Sequence, residues 1–447
     1  MSNILGNRYA MGNCLLAVIF LTLLTLGDNV LTNALPIALG SVPPQVPGFW
    51  NLTTKALILS IISDLIGQLI LIPVAYHYGS RYAMNLNSLS VLIASIVSLA
   101  SLFWRTGGPA WIPIVAGIFK IIGGGSHATL FLTITIIRKN ASGSLRAALI
   151  YTTGAAVVLY QTIASTVTLF LARQSPTLPY IFSIACCILA ITVTIGYDTT
   201  EGQASERVYV DDPSTQPLLT HGAASQDPYT ERPSTFGNIY RRWKNEPSEN
   251  RKIMKSLGWI FGLAACSKAT RPLFLTYIQH RDGIMPDLAS YLWHVRTVMS
   301  LVIFIVVLPL VVVLSVKYTA KLPNAINLYT AKISVIPLTI GAFLIGLARS
   351  KPLLITGLLI NTVGVATDLS LLAFAADVVT EDLVTCFFMT MASIESVGTL
   401  VGIAFLYPLY QRVLDDDTLF GGIPYYICAD LFTIAGVIVW QMKPLVA

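Results

Sequence analysis

Apolar stretches of about 20 residues recur along nearly the whole chain, separated by short polar turns. A helix of that length spans the hydrocarbon core of a bilayer, where lipid offers the backbone no hydrogen-bond partner. Hydrophobic residues account for 55% of the 447 residues and charged residues for only 11%, compared with about 25% charged residues in soluble domains. The chain is therefore predicted to be an all-α membrane protein whose backbone hydrogen bonds lie within its helices.

The apolar stretches predict about twelve transmembrane helices, arranged as six helices, a polar linker and six more. Residues 117–166 and 357–405 each contain a helix, a polar turn and a helix, which indicates two duplicated, pseudo-symmetric halves. We predict an N-terminal half over 1–198, a cytosolic disordered linker over 199–255 and a C-terminal half over 256–447. The predicted helices lie near residues 13–38, 54–76, 83–104, 111–137, 145–172 and 178–198, then 256–279, 288–315, 324–348, 352–377, 383–410 and 421–442.

The predicted linker is rich in proline, serine, threonine, glutamine and charged residues, so it is too polar to bury a core of its own. The first apolar stretch, by contrast, begins at Cys14 and runs past Asp28 without a small-residue cleavage site. We interpret that stretch as a retained first helix and not as a signal peptide.

Lysine and arginine are more frequent in the loops that share a side with the N-terminus and the linker. By the positive-inside rule, both termini and the linker are predicted to face the cytosol. The sequon at Asn51 then lies outside and is a predicted glycosylation site, whereas the sequon at Asn140 is predicted to stay unmodified. We favour the plasma membrane over the vacuolar membrane, because Gln216–Leu219 lacks the acidic residue of a dileucine sorting signal.

The chain contains no arrangement of residues typical of an enzyme, a metal site or a nucleotide site. Its six cysteines have no metal-ligand spacing, and the run Gly123–Gly125 is not followed by the Gly-Lys-Ser/Thr of a phosphate loop. The net charge of +6 reflects membrane topology, so no nucleic-acid partner is predicted. We predict a protein without catalytic residues, metal or cofactor. The glycine run is predicted to pack closely or to flex within its helix.

Three stretches of the chain carry a resemblance to a known family. They are the segment Leu275–Gly283 (LTYIQHRDG), the segment Gly357–Pro408, and Gly422-Ile423-Pro424-Tyr425. With the six-plus-six topology, these stretches resemble the major facilitator superfamily, and especially its fungal metabolite and drug exporters. The resemblance implies a twelve-helix fold in two six-helix halves, with a central site for a small molecule.

The turn between the second and third helices matches the signature of that superfamily only in part. Gly79 and Arg81 match the signature, His77 replaces a basic residue, and Tyr76 stands where the family has an acid. The acidic start of the eleventh helix is predicted to attract His77 or Arg81. The fifth helix has only Gly154 in place of the Gly-x-x-x-Gly-Pro run of drug/proton antiporters, so antiport does not carry over from that motif.

Ionisable side chains at membrane depth cost about 2.5 to 3.5 kcal/mol each on insertion, so they usually face a cavity or a partner. Acids and bases are nearly balanced in the predicted helices, which permits mutual pairing. The candidates for a substrate or proton pathway are Asp28, Asp64, Lys120, His127, Lys268, Arg271, Arg296, Asp368 and Glu395, and a further acid, Asp430, lies in the twelfth helix.

Two alternatives stay open for each of the best candidates. Lys268 and Arg271 share one helix face, where they could hold an anionic substrate or two carboxylates, or could snorkel to the outer surface. Asp28 heads a polar cluster with Asn29, Thr32 and Asn33, and could exchange protons in a cavity or bond a neighbouring helix.

The second, fourth and eleventh helices hold the remaining central candidates. Asp64 could carry a proton at mid-span or form a structural pair with Lys120. His127, on the same face as Lys120, could titrate near neutral pH or serve in packing. Glu395 lies on a stripe with Gly398 and Gly402, where it could couple transport or bond another helix.

The leading functional hypothesis is a monomeric secondary transporter in the lipid bilayer that exports a small organic metabolite, driven by the proton gradient. The alternatives are proton-linked uptake of a nutrient or organic anion, and a transport-dead sensor or scaffold that acts through the linker.

Overall fold

A computed structural model of the chain describes residues 2–38, 52–103, 115–141, 143–196, 235–269, 274, 277, 286–319, 322–413 and 419–444. Within these ranges every regular element is helical, and ten helices are long and apolar enough to cross a membrane. One of them, Leu52–Phe103, is divided in two by the non-helical backbone of Gly79 (φ +85°). The more polar helix Ser248–Lys268 completes a set of twelve. The predicted architecture is confirmed.

The N-terminal half contains six helices, which we number α1 to α6. Helix α4 is interrupted, and a 3-10 turn, Gly117–Ile122, forms its first part. The bounds are Ser2–Ala38 (α1), residues 52–78 (α2), residues 80–103 (α3), Gly117–Ile122 with Gly125–Asn140 (α4), Gly143–Gln174 (α5) and Leu178–Ile195 (α6).

The C-terminal half follows a short amphipathic helix, Thr235–Asn245, which we call the linker helix. Helix α8 contains one π-helical turn, Ile303–Val307, and α10 is interrupted near Gly364. The bounds are Ser248–Lys268 (α7), Pro286–Val302 continuing to Leu308–Thr319 (α8), Pro323–Leu347 (α9), Lys351–Val363 with Ala366–Val378 (α10), Val384–Val413 (α11) and Ile423–Gln441 (α12).

The structure differs from the predicted linker over residues 235–255, which are helical instead of disordered. Trp243 of the linker helix packs against the main hydrophobic core, and Arg251 and Lys255 of α7 lie 5.9 and 5.2 Å above its ring. The segment is too polar to be recognised as a core element by composition, but one apolar face is covered by the bundle. Residues 199–234 and the predicted glycosylation site Asn51 lie outside the described residues.

The two halves meet along α2, α4 and α5 on one side and α8, α10 and α11 on the other. Within the C-terminal half, α11 also packs closely on α7, because Gly398 and Gly402 leave no room for a methyl group against the backbone of Gly262 and Cys266. This is the close approach predicted from the small residues near Glu395, and it sets α7 and α11 side by side at the centre of the bundle.

Helix α4, predicted near residues 111–137, is broken at the run Gly123–Gly125, where the sequence predicts close packing or flexing. Gly124 and Gly125 have left-handed backbones (φ +76° and +68°), which only glycine adopts at little cost. The freed carbonyl oxygens of Gly124 and Gly125 accept hydrogen bonds from the amides of Gln68 (3.2 Å) and Asn87 (3.0 Å). The break is thus built into the packing of α4 against α2 and α3.

Candidate functional site

A buried ion pair joins the first and fourth helices. Lys120, in the 3-10 turn before the break in α4, places its Nζ atom 2.5 Å from Oδ1 of Asp28 in α1. Only 4% and 5% of the two side chains are exposed. The sequence left Lys120 with Asp64 as its possible partner, whereas the ion pair within the described residues is with Asp28.

Asp64 lies on α2 at the break in α4. It is 8% exposed, and its Oδ1 atom has no hydrogen-bond partner among the described residues. A methyl group on Gly125 would come within 2.5 Å of this oxygen, so the missing side chain of Gly125 makes the space that the carboxylate occupies. Lys120 and Asp28 are near enough to act on Asp64 electrostatically.

Substituting Gly125 with alanine is expected to lower the stability of the folded protein by about 2–3 kcal/mol, from backbone strain and from contact with Asp64. Gly143 is a matched control, because it also has a positive φ (+56°) but no neighbouring atom within 4 Å of an added Cβ. Gly143→Ala is expected to cost only about 1 kcal/mol. Thermal unfolding of the purified variants measures both losses. Equal losses would mean that contact with Asp64 adds nothing.

A second chain of charged groups runs through the C-terminal half and reaches across to α4. Lys268 of α7 places its Nζ atom 2.6 Å from Asp368 of α10 and 3.8 Å from Glu395 of α11. The other oxygen of Glu395 lies 3.4 Å from Nδ1 of His127. Since His127 belongs to the N-terminal half, this contact links the two halves at the centre of the protein.

The remaining charged candidates are Arg271, Arg296 and Asp430. Arg271 lies outside the described residues, so its predicted pairing with Lys268 around an anion is not placed. Arg296 of α8 stacks 5.0 Å from the ring of Trp293 and, with Lys268, lines a separate cavity of about 450 Å³ within the C-terminal half. Asp430 of α12 is exposed on the surface of the bundle.

A cavity of about 520 Å³, including the open space at its mouth, lies between the halves beside the Asp28–Lys120 pair and the His127–Glu395 contact. Its wall is mostly polar, and one side is closed by Gln68 of α2, which exchanges hydrogen bonds of 2.9 and 3.0 Å with Ser396 of α11. The lining residues are Asp28, Asn29, Thr32, Leu57, Ser60, Ile61, Asp64, Lys120, Ser126, His127, Ser396 and Thr399.

The halves are also joined at the end of the bundle where α6 ends and α7 begins, which we call the linker end. Arg146 of α5 donates a 2.8 Å hydrogen bond to the carboxylate of Asp377 and a 3.2 Å bond to the carbonyl oxygen of Ala376. Tyr151 of α5 donates to the side-chain oxygen of Asn327 on α9 at 2.8 Å. The linker end is therefore closed by polar contacts between the halves.

The linker helix bridges the turn between α2 and α3 to the start of α11. Arg81 donates to the carbonyl oxygen of Ile195 at 3.3 Å, and exposed His77 stacks edge-on against Tyr76. The guanidinium of Arg242 lies 5.7 Å from the centre of the Tyr76 ring and 3.7 Å from a carboxylate oxygen of Asp382. Arg242 thus reaches the acidic start of α11 from the linker helix, and the attraction of His77 or Arg81 to that start stays a prediction.

Sequence reasoning identified most of the buried charges but missed the residues that join the halves at the linker end. Arg146 and Asp377 lie at corresponding turns of the two duplicated segments, so the internal repeat carried a signal for this pair. Gln68, Ser396 and Tyr151 have no such signal, because neutral polar residues are common in transmembrane helices.

Comparison with known proteins places this geometry in a recognised fold. No family model matches the chain, and no curated protein sequence matches it. Among solved structures, the human organic anion transporter MFSD10 (TETRAN) superimposes with a TM-score of 0.66 at 15% identity, covering 97% of this chain and 98% of that one. The chain has the major facilitator fold.

Two further structures extend the comparison. The major facilitator superfamily proton:xylose symporter XylE, bound to 6-bromo-6-deoxy-D-glucose, has a TM-score of 0.66 at 14% identity over 98% of this chain and 96% of its own. A bacterial homologue of the iron transporter ferroportin, in an outward-facing state, has a TM-score of 0.64 at 10% identity over 97% and 99%. At these identities the likeness concerns the major facilitator fold alone.

Proposed function

We propose that this protein is a secondary transporter that moves a small organic molecule across the membrane by alternating access, driven by the proton gradient. The observation that carries the proposal is the contact between His127 and Glu395, which joins the two halves beside a cavity of about 520 Å³. A group that can lose its charge at such a contact can couple proton binding to movement of the halves.

The buried charges provide a physical basis for that coupling. Glu395 faces both His127 and Lys268, at 3.4 and 3.8 Å. The carboxylate attracts the ammonium group of Lys268 and, when it is protonated, the imidazole of His127, whose 43% exposure lets solvent screen part of the attraction. A proton on Glu395 removes most of that attraction, so α11 is held less firmly against α4. Opening the cavity toward the linker end also requires the Arg146–Asp377 contact to break.

The structural neighbours support transport of a small molecule, since one is described as a proton:xylose symporter and another as an organic anion transporter. We propose export of a metabolite or toxic compound, as the resemblance to fungal exporters implies, with uptake as the alternative. The proposed setting is the plasma membrane, with both termini and the linker in the cytosol, Asn51 glycosylated outside, and the protein acting as a monomer.

The proposal predicts that Glu395→Gln abolishes proton-driven flux. Accumulation of a panel of labelled metabolites is compared in cells that express the wild-type protein or the variant, with and without a protonophore. For at least one compound, the wild-type protein is expected to lower accumulation by several-fold, and both the variant and the protonophore should remove this effect. Asp430→Asn is the matched control, because Asp430 is an exposed acid outside the central chain of contacts.

Other outcomes separate the alternatives. Accumulation that rises with the wild-type protein would indicate uptake instead of export. Flux that persists in Glu395→Gln and in the presence of the protonophore would contradict proton coupling. If no compound in the panel responds to the wild-type protein, the sensor or scaffold hypothesis gains support.

A further inference from the structure

We infer that the cavity between the halves accepts a small hydroxylated organic cation, with its ammonium group bound to Asp64. This inference names a substrate class for the site and so rests on the proposed transport function. It stands on three features of the described residues: basic side chains that are already paired, one buried carboxylate oxygen that is not, and a wall rich in hydrogen-bond acceptors.

Two lysines near the cavity, the buried Lys120 and the partly buried Lys268, are already paired with carboxylates. Lys120 is paired with Asp28 at 2.5 Å. Lys268 is held between Asp368 at 2.6 Å and Glu395 at 3.8 Å. An anionic ligand would have to displace one of these carboxylates and leave it buried without its partner, at a large cost. Neither lysine is therefore well placed to bind an anion.

Asp64 presents the opposite situation. It lines the cavity and is more than nine-tenths buried, yet its Oδ1 atom has no hydrogen-bond partner among the described residues. A buried carboxylate oxygen without a partner is costly, and a ligand that supplies both positive charge and N–H donors relieves that cost. An alkylammonium group that enters the cavity lined by Asp64 meets both requirements.

Several side chains in the rest of the wall have oxygen atoms that can still accept hydrogen bonds. The hydroxyl groups of Thr32 and Thr399 donate hydrogen bonds of 2.9 Å to the backbone carbonyl oxygens of Asp28 and Glu395, respectively. The side-chain amide of Asn29 donates a 2.7 Å hydrogen bond to the backbone carbonyl oxygen of Thr25. The oxygen lone pairs of these side chains remain to accept bonds from ligand hydroxyl groups.

The wall does not have the composition of an aromatic cage. Its apolar members among the described lining residues are the aliphatic Leu57 and Ile61. Planar or quaternary cations are typically recognised by stacked aromatic rings. The lining therefore favours a polar aliphatic amine with hydroxyl groups over a flat aromatic drug.

The test uses the purified full-length protein and three sugars of similar size and different charge: glucosamine, glucose and glucuronate. Ligand-induced stabilisation against thermal unfolding is titrated for each. Glucosamine is expected to bind at least about tenfold more tightly than glucose or glucuronate. Asp64→Asn is expected to remove this preference, whereas Asp430→Asn should retain it.

A second variant guards against misfolding of Asp64→Asn. Ser60 lies one helical turn before Asp64 and lines the same cavity. In Ser60→Lys, an internal ammonium group can reach Asp64, so the variant is expected to stay folded and to lose glucosamine binding by about tenfold or more.

Several results would overturn the inference. They are tighter binding of glucose or glucuronate than of glucosamine, unchanged discrimination in both Asp64→Asn and Ser60→Lys, or no stabilisation by glucosamine, ethanolamine and putrescine. Proton-driven flux of a neutral or anionic compound would likewise refute the cation inference while leaving the proposed transport function intact.

Discussion

Replacing Lys120 with methionine is expected to destabilise the folded protein by about 3–5 kcal/mol, because it leaves the carboxylate of Asp28 buried without its partner. The two side chains are 4% and 5% exposed, so little solvent reaches the carboxylate to compensate for the lost ammonium group. Methionine keeps most of the volume of lysine, which limits any effect of lost packing. Thermal unfolding of the purified variant measures the loss.

Two controls identify the cause of that destabilisation. The double variant Asp28→Asn/Lys120→Met removes both charges and is expected to recover most of the lost stability, since buried ion pairs can often be replaced by neutral groups at little cost. Lys317→Met changes an exposed lysine on α8 and is expected to alter stability by less than about 0.5 kcal/mol. If the double variant were as unstable as Lys120→Met, the uncompensated charge of Asp28 would not be the cause.

Replacing Arg146 with alanine is expected to open the linker end. Arg146 holds the halves together through Asp377 and the carbonyl oxygen of Ala376, at 2.8 and 3.2 Å. Hydrogen bonds to charged groups contribute about 1.5–3 kcal/mol each, so losing them should shift the balance toward an open linker end by roughly tenfold or more.

Cys386 is a native reporter for this opening. It is buried at the start of α11, within a hydrophobic cluster formed mainly by residues of α1 to α4. Separation of the halves at this end should therefore expose its thiol. In a background where the other five cysteines are replaced, maleimide should label Cys386 about tenfold faster in Arg146→Ala than in the parent protein.

A charge exchange tests whether the pair itself closes the linker end. Arg146→Asp and Asp377→Arg together restore opposite charges in reversed positions, and slow labelling of Cys386 is expected to return at least in part. Arg81→Ala, which removes a bond to the end of α6 within the same half, should leave the labelling rate unchanged. Equal labelling in Arg146→Ala and the parent would show that this pair does not hold the halves together.

The sequence alone determined the architecture and most of the charged residues of the candidate site. Helix length and apolar composition are set by bilayer thickness, so twelve spans could be counted without tertiary information. Asp28, Asp64, Lys120, Lys268, Asp368 and Glu395 stood out because charge is rare at membrane depth. The internal repeat also marked the turns that contain Arg146 and Asp377.

Which of these groups come into contact depends on the tertiary structure. Lys120 pairs with Asp28, and Asp64 rests against the break at Gly125, because the rotation of each helix about its axis is set by packing with its neighbours. Close contacts at glycines between α7 and α11 bring Lys268 near Glu395. Trp243 packs the linker helix, which the composition predicted to be disordered, against the hydrophobic core. The sequence of a helix indicates which of its side chains can be buried. Which helix it packs against depends on close contacts between residues that are distant in the chain.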